Sequence, residues 1–243
     1  MKGRNDMPPK KKSNVMAQRK AEAIQQQKKQ KTRRIIWFST IGVVLLGLII
    51  VLVFQTRDKA DAFDYNNLPR LGAADAKVKI VDFSDLKCPS CKVFNESVKP
   101  HIYDDYIAQG KVALYYVHFP FLYEDSTTAA LAAQAVYRQN PDAAWKYIDL
   151  IFKNQGEVKK VWATTDFLVK LAGEADASLD LEQLRKDIDN QTYAKEVQAQ
   201  YDLGDKLGIG GTPTLFMNGK EVGEAESEDY SKLQPLIEAE LKK

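Results

Sequence analysis

The chain has 243 residues, with 35 Lys and Arg against 33 Asp and Glu and only two cysteines. That length holds one domain of ordinary size plus accessory segments, and two cysteines exclude a small disulfide-stapled scaffold. The net charge of +2 hides a segregation: residues 1–34 carry 12 basic residues against Asp6 and Glu22, a net of +10, and the remainder has 23 basic and 31 acidic residues, a net of −8.

A basic arm can signal nucleic acid, but the stretch after it gives a better explanation. Residues 35–54 are 20 positions without a charge, rich in Ile, Val and Leu. As a helix they are roughly 30 Å long, enough to cross the hydrocarbon core. Trp37 suits the interface, and Arg33 and Arg34 abut the start, whereas Arg57 and Lys59 beyond it are balanced by Asp58, Asp61 and Asp64. The positive-inside rule puts the arm in the cytoplasm and the chain from about residue 55 outside. The expectation is a single-pass protein of the cell membrane that meets lipid through residues 35–54 and has no nucleic-acid partner. Ala60-Asp61-Ala62 has the form of a signal-peptidase site, but the long apolar stretch and long arm favour a retained anchor over a cleaved signal. Residues 55–72 are polar and aperiodic, with Pro69 and Gly72, and read as a tether. The folded domain is then expected over 73–243.

Within it, Val78 to Phe83 is a short β-branched and aromatic run that reads as a strand, and Cys88-Pro89-Ser90-Cys91 follows where the strand gives way to a helix. At a helix start, unpaired N–H groups and the positive end of the dipole favour a thiolate at Cys88. Pro89 fits the first turn, where its missing N–H costs nothing. A bridge between cysteines three apart closes too short a loop to be a useful clamp, so the pair reads as reactive. Zinc wants about four ligands, and only His101 and His118 remain as soft partners. Both read as surface or core residues, and no metal is expected. Lys87 could favour the thiolate, although a solvated loop charge is the plainer reading.

After Cys91 an amphipathic helix is expected to about Ala108, kinked at Pro100, and then a strand with Val112, Leu114 and Tyr116 alternating. Strand, helix and strand make a right-handed βαβ unit with parallel pairing. Residues of about 124–207 read as helices: one capped by Asp125 and Ser126, one opened by Asn140-Pro141-Asp142, then Thr164 to Ala172, Leu179 to Ile188 and Tyr193 to Leu207. Their apolar stripes are core, and no chemistry is assigned to them. The chain returns to strands at Thr214 to Met217, the Asn218-Gly219 turn and Glu221–Val222. A last helix opens at Ser227 or Glu228 with Tyr230, Leu233, Leu236, Ile237 and Leu241 as its apolar face. By itself Thr212-Pro213 is a proline at a strand's first residue.

Cys88-Pro89-Ser90-Cys91 after an apolar strand, a helical insertion, and Gly211-Thr212-Pro213-Thr214 before a hairpin together resemble the DsbA-like thioredoxin-fold disulfide oxidoreductases. Within them the chain is most similar to the membrane-anchored enzymes of Gram-positive bacteria. The resemblance covers about residues 72–243. It implies an α/β thioredoxin fold with a helical insertion, preceded by a single N-terminal transmembrane helix, with Pro213 cis and facing the dithiol. It further implies that Cys88 is the exposed, exchanging sulfur and Cys91 its buried partner, and that Pro89 and Ser90 set the donors around the thiolate. Thr212 would offer its backbone to an extended substrate, and Asp82 would be a buried acid serving Cys91. The reaction expected is the introduction of disulfides into unfolded secreted or surface proteins, with no cofactor beyond the Cys88–Cys91 pair and recharging by a membrane quinone-linked, DsbB-like thiol oxidase. A reductase or isomerase on the same fold, and a non-enzymatic anchored holdase, are the alternatives.

Overall fold

The computed structural model describes residues 63–243, together with the isolated positions 37, 42, 46 and 47. The expected membrane segment, 35–54, therefore lies almost wholly outside the described residues, as do the basic arm and the Ala60–Ala62 site. Among the described residues no helix is long and apolar enough to cross a membrane.

In chain order the elements are β1 (Arg70–Leu71), β2 (Val78–Ser84), α1 (Pro89–Val93), α2 (Lys99–Ile102), β3 (Val112–His118), α3 (Glu124–Gln139), α4 (Pro141–Lys153), α5 (Thr165–Ala175), α6 (Leu181–Asp189), α7 (Ala194–Leu207), β4 (Thr214–Met217), β5 (Lys220–Glu221), α8 (Glu224–Ser227) and α9 (Tyr230–Leu241). The strands form one sheet in the order β1-β3-β2-β4-β5. β2 and β3 pair in parallel, Val78 opposite Val112 through Ser84 opposite His118, as the βαβ reading requires. β4 runs antiparallel to β2, with Asp82 opposite Leu215. β4 turns into β5 through Asn218 (φ 48°) and Gly219 (φ 82°), the left-handed pair that a two-residue hairpin demands.

Both faces of the sheet are covered. Val78, Ile80, Leu114, Tyr116, Leu215 and Met217 pack on one side beneath α1, α2, the insertion and α9. Val81, Phe83, Tyr115, Val117 and Phe216 pack on the other, against Phe63, Leu68 and the Tyr201–Leu207 side of α7. Sheets buried on both faces have near-continuous apolar strands, which is why all seven residues of β3 are buried rather than alternating.

Three expectations are corrected. Residues 63–72, read as the end of the tether, belong to the folded domain: Phe63 and Leu68 are buried and Arg70–Leu71 pairs with Tyr115 and Leu114. Gly72 permits this edge, since at its φ of 102° a Cβ would lie 2.7 Å from the Val112 carbonyl oxygen. Where a kink at Pro100 was the expectation, the helix accommodates the proline by widening. The chain widens into a π turn at Phe94–Val98, with Lys99 N–H donating to the Phe94 carbonyl, immediately before the proline, and into a second at Tyr103–Ile107. A wider turn relieves the clash of a proline ring with the carbonyl four residues back. Finally, α9 is capped by Asp229, whose carboxylate accepts from Ser231 N–H, and Leu236 faces outward while Leu233 and Ile237 are buried.

Candidate active site

Strand β2 delivers the chain to the site and Asp85 turns it. The buried Asp85 carboxylate accepts from Lys87 N–H (2.8 Å) on one oxygen and from Phe121 and Leu122 N–H (2.9 and 3.0 Å) on the other, and its carbonyl accepts from Cys88 N–H (2.9 Å). Cys88 takes the N-cap position of α1 in an extended conformation, with Pro89 in the first turn. The two cysteines are unbridged.

Cys88 was expected to stand exposed. Only 7% of it reaches solvent and none of Cys91 does, because the loop before β4 lies across the pair. The Thr212–Pro213 peptide bond is cis, and the Thr212 carbonyl oxygen is 3.2 Å from Cys88 Sγ. Beside this loop a cavity of about 350 Å³ opens, lined by Gly210, Gly211, Thr212, Pro213, Glu221 and Glu224 among others.

The two sulfurs differ in acidity. The hydrogen bond from the Cys91 thiol pulls Cys88 from an ordinary 9.0 down to about 6; burial opposes this, and the backbone N–H groups of Cys91 and Ser90 support it. Ser90 thus acts on the sulfur through its amide. Cys91 goes the other way: burial pushes its thiol well up, reinforced by its hydrogen bond to Cys88 and by the charges of Cys88 and Asp82. Asp82 lies on the same face of the sheet, 3% exposed. Burial raises it from 3.8 to about 7, against a 2.6 Å hydrogen bond donated by Ser84 Oγ and the charge of Lys99, and with the charge of Cys88. Asp82 is thus a buried acid, as the resemblance implies.

Of the residues singled out in the sequence, Cys88, Pro89, Ser90, Cys91, Asp82, Thr212 and Pro213 converge on this one place. Lys87 does not match its reading as a solvated loop charge: its side chain is fully buried and ion-paired with Asp125. Asp125 in turn is not the cap of α3; that helix starts at Glu124, and Tyr123 N–H donates to Ser126 Oγ. His118 is buried with neither ring nitrogen hydrogen-bonded, and burial pushes its pKa down to about 3. His101 stacks on Tyr230 at 5.0 Å between centroids. Among the described residues no group of His, Cys, Asp and Glu is arranged to hold a metal ion.

Two site residues carried no sequence signal. Gln155, just past α4, donates its amide to the Leu86 carbonyl (2.9 Å) and the Cys88 carbonyl (3.1 Å), so the insertion touches the backbone of Cys88 itself. Lys99, 6% exposed, pairs with Asp149 and lies over the Trp145 ring at 5.2 Å. Burial lowers its pKa, while Asp149 and Asp82 oppose that.

The thioredoxin family model matches residues 66–239. The probable disulfide bond formation protein D of Bacillus cereus is 34% identical over 208 residues, spanning 85% of this chain and 94% of that one. The disulfide bond formation protein D of Bacillus subtilis is 37% identical over 174 residues, 72% of this chain and 77% of its own. Among solved structures, oxidised BdbD from Bacillus subtilis superposes with a TM-score of 0.70 at 35% identity, covering 74% of this chain and 96% of that chain.

Proposed function

This chain belongs to the thioredoxin family, among the DsbA-like thiol:disulfide oxidoreductases, and on that premise we propose that it works as an oxidase, introducing disulfides into unfolded secreted or surface proteins. The observation that carries the direction is the split in acidity between Cys88 and Cys91. A thiolate held near pKa 6 stabilises the dithiol form, so the disulfide gives up its bond readily to a client.

A client thiolate attacks Cys88 Sγ of the oxidised enzyme; the Cys88–Cys91 bond breaks and its electron pair leaves on Cys91. Cys91, buried and of raised pKa, takes a proton, and Asp82, near 7 and about half protonated at neutral pH, supplies it. A second client thiolate then attacks the client sulfur of the mixed disulfide and releases Cys88 as a thiolate. The client has lost two electrons and the enzyme dithiol holds them. Thr212 and cis-Pro213 present a backbone edge to the extended client, which reads no sequence and suits a varied clientele, and the adjoining cavity takes the neighbouring side chain. No cofactor beyond the dithiol is needed. A membrane quinone-linked, DsbB-like thiol oxidase reoxidises the pair, with residues 35–54 as a retained anchor, 1–34 cytoplasmic and the catalytic domain outside the membrane.

The test is the equilibrium of Cys88–Cys91 with glutathione, run beside oxidation of a reduced, unfolded protein. An oxidase gives a potential well above that of thioredoxin, about −270 mV, and rapid client oxidation that Cys88→Ser abolishes. A thioredoxin-like potential points instead to a reductase, and activity surviving Cys88→Ser points to a holdase.

A further inference from the structure

Lys87 immediately precedes the exchanging cysteine, and the destination of its side chain is unusual. It is fully buried, its ammonium pairs with Asp125 Oδ1 and donates to the Lys160 carbonyl at 2.9 Å, and it lies over the rings of Tyr123 (5.2 Å) and Trp162 (5.7 Å). The second Asp125 oxygen accepts from Trp162 N–H (2.9 Å) and Ala163 N–H (3.0 Å). Burial works against the Asp125 charge, but Lys87 and these two amides outweigh it and hold the carboxyl below its usual range. One partner therefore comes from the loop before the dithiol and the other from the first helix of the insertion. Replacing a buried ion pair by apolar residues of similar volume is often neutral or stabilising, so scaffolding alone does not account for this one.

An isolated ammonium one residue from Cys88 would favour its thiolate. Paired, the two charges act on the sulfur only as a dipole, whose field falls off faster than that of a single charge. We propose that Asp125 is a tuning residue: its carboxylate, brought in by the helical insertion, cancels the buried Lys87 ammonium and so holds the dithiol to a weaker oxidising strength than the loop would otherwise give it. The inference rests on Cys88 being the exchanging sulfur. The other titratable groups that interact with that sulfur are Asp82 from β2, Cys91 from α1 and Tyr116 from β3, with Lys99 of α2 acting on Asp82. None of them is altered by a change at residue 125.

The test uses the full-length reduced protein and three variants: Asp125→Asn, Lys87→Met and the double Lys87→Met/Asp125→Leu. Two readouts are followed, the pH midpoint of Cys88 alkylation and the equilibrium with glutathione. A lone buried charge within about 12 Å of the sulfur acts by roughly tenfold. Asp125→Asn is expected to lower the alkylation midpoint by about one pH unit and to favour the dithiol form about tenfold. Lys87→Met, which leaves the carboxylate unopposed, moves both readouts the opposite way, and the double variant returns both to within about twofold of the parent. Single variants that shift together, or that leave both readouts still while stability falls, would show a plain scaffold and overturn the proposal. Should the single variants not fold, the double variant decides: a tenfold change in its equilibrium contradicts cancellation. Failure of the underlying reading looks different, because the unsubstituted protein would then alkylate like an ordinary thiol.

Discussion

The two faces of the central sheet are built from the same two strands and obey different rules. On one, Phe83 meets Phe63, Phe119 and Phe216 with ring centroids 6.1, 6.4 and 5.7 Å apart, and Val81, Tyr115 and Val117 complete a dry layer. On the other, one residue along each strand, lie Asp82, Ser84, Tyr116 and His118, all buried. Alternation along β2 and β3 sends these sets to opposite sides. A carboxylate at 3% exposure is costly unless it has work to do, and this one is confined to the face that carries the dithiol. One side of the sheet is a purely apolar layer, whereas the other sets the buried polar groups around the dithiol within the larger apolar core.

The largest expected effect lies on the reactive side. Cys88→Ser abolishes thiol–disulfide exchange with a reduced client and lowers the melting temperature of the reduced protein by only a few degrees at neutral pH, since serine forfeits the thiolate's favoured ionisation. Phe83→Ala is the mirror case. It removes a fully buried ring and costs about 3–5 kcal/mol, which for a domain of this size lowers the melting temperature by about 10 °C or more, yet it leaves the midpoint of Cys88 alkylation in place. If Phe83→Ala moved that midpoint as far as it moved stability, the two faces would not be separate.

Asp82→Asn comes next. Without a proton donor for Cys91, the rate of client attack on the oxidised enzyme falls by about tenfold to a hundredfold, and its dependence on a group near pH 7 disappears. The same substitution has a signature in stability. The folded-state pKa of Asp82 lies above its unfolded value, so its contribution is complete below about 4 and is lost as pH rises through about 7. Denaturant midpoints of the parent therefore fall between pH 5 and pH 8 by an amount that shrinks in Asp82→Asn. Ser84→Ala gives a smaller change of known sign: the lost hydrogen bond had lowered the Asp82 pKa, so the kinetic midpoint rises by about one pH unit. Smallest of all is His118→Phe. Both ring nitrogens are buried without partners, so an apolar ring of similar shape holds the melting temperature or raises it by a few degrees.

On both faces the sequence made short-range patterns legible and left long-range contacts obscure. The strand run into Cys88-Pro89-Ser90-Cys91, the βαβ order and the Asn218-Gly219 turn are short-range patterns, and the structure has them within one or two residues of their expected bounds. Asp82 was found through the resemblance, as one position at a fixed offset from Cys88. What escaped has no local pattern. Phe63 and Leu68 are isolated apolar residues in a polar stretch, and only their long-range packing makes them core. Lys87 and Asp125 are 38 residues apart, and nothing in either neighbourhood marks a buried charge. Gln155 is an ordinary polar residue after a helix until the fold sets its amide against the Cys88 carbonyl. The π turn before Pro100 escaped because apolar spacing alone does not distinguish a widened turn from a kink.

All of this depends on one sulfur being an anion near neutral pH. Reduced, full-length protein alkylated across pH 4–10, with Cys88 modification followed by mass, reports its ionisation directly. The expected midpoint is near 6, with Cys91 unreactive throughout the range. A Cys88 midpoint near 9, the ordinary value, would contradict it.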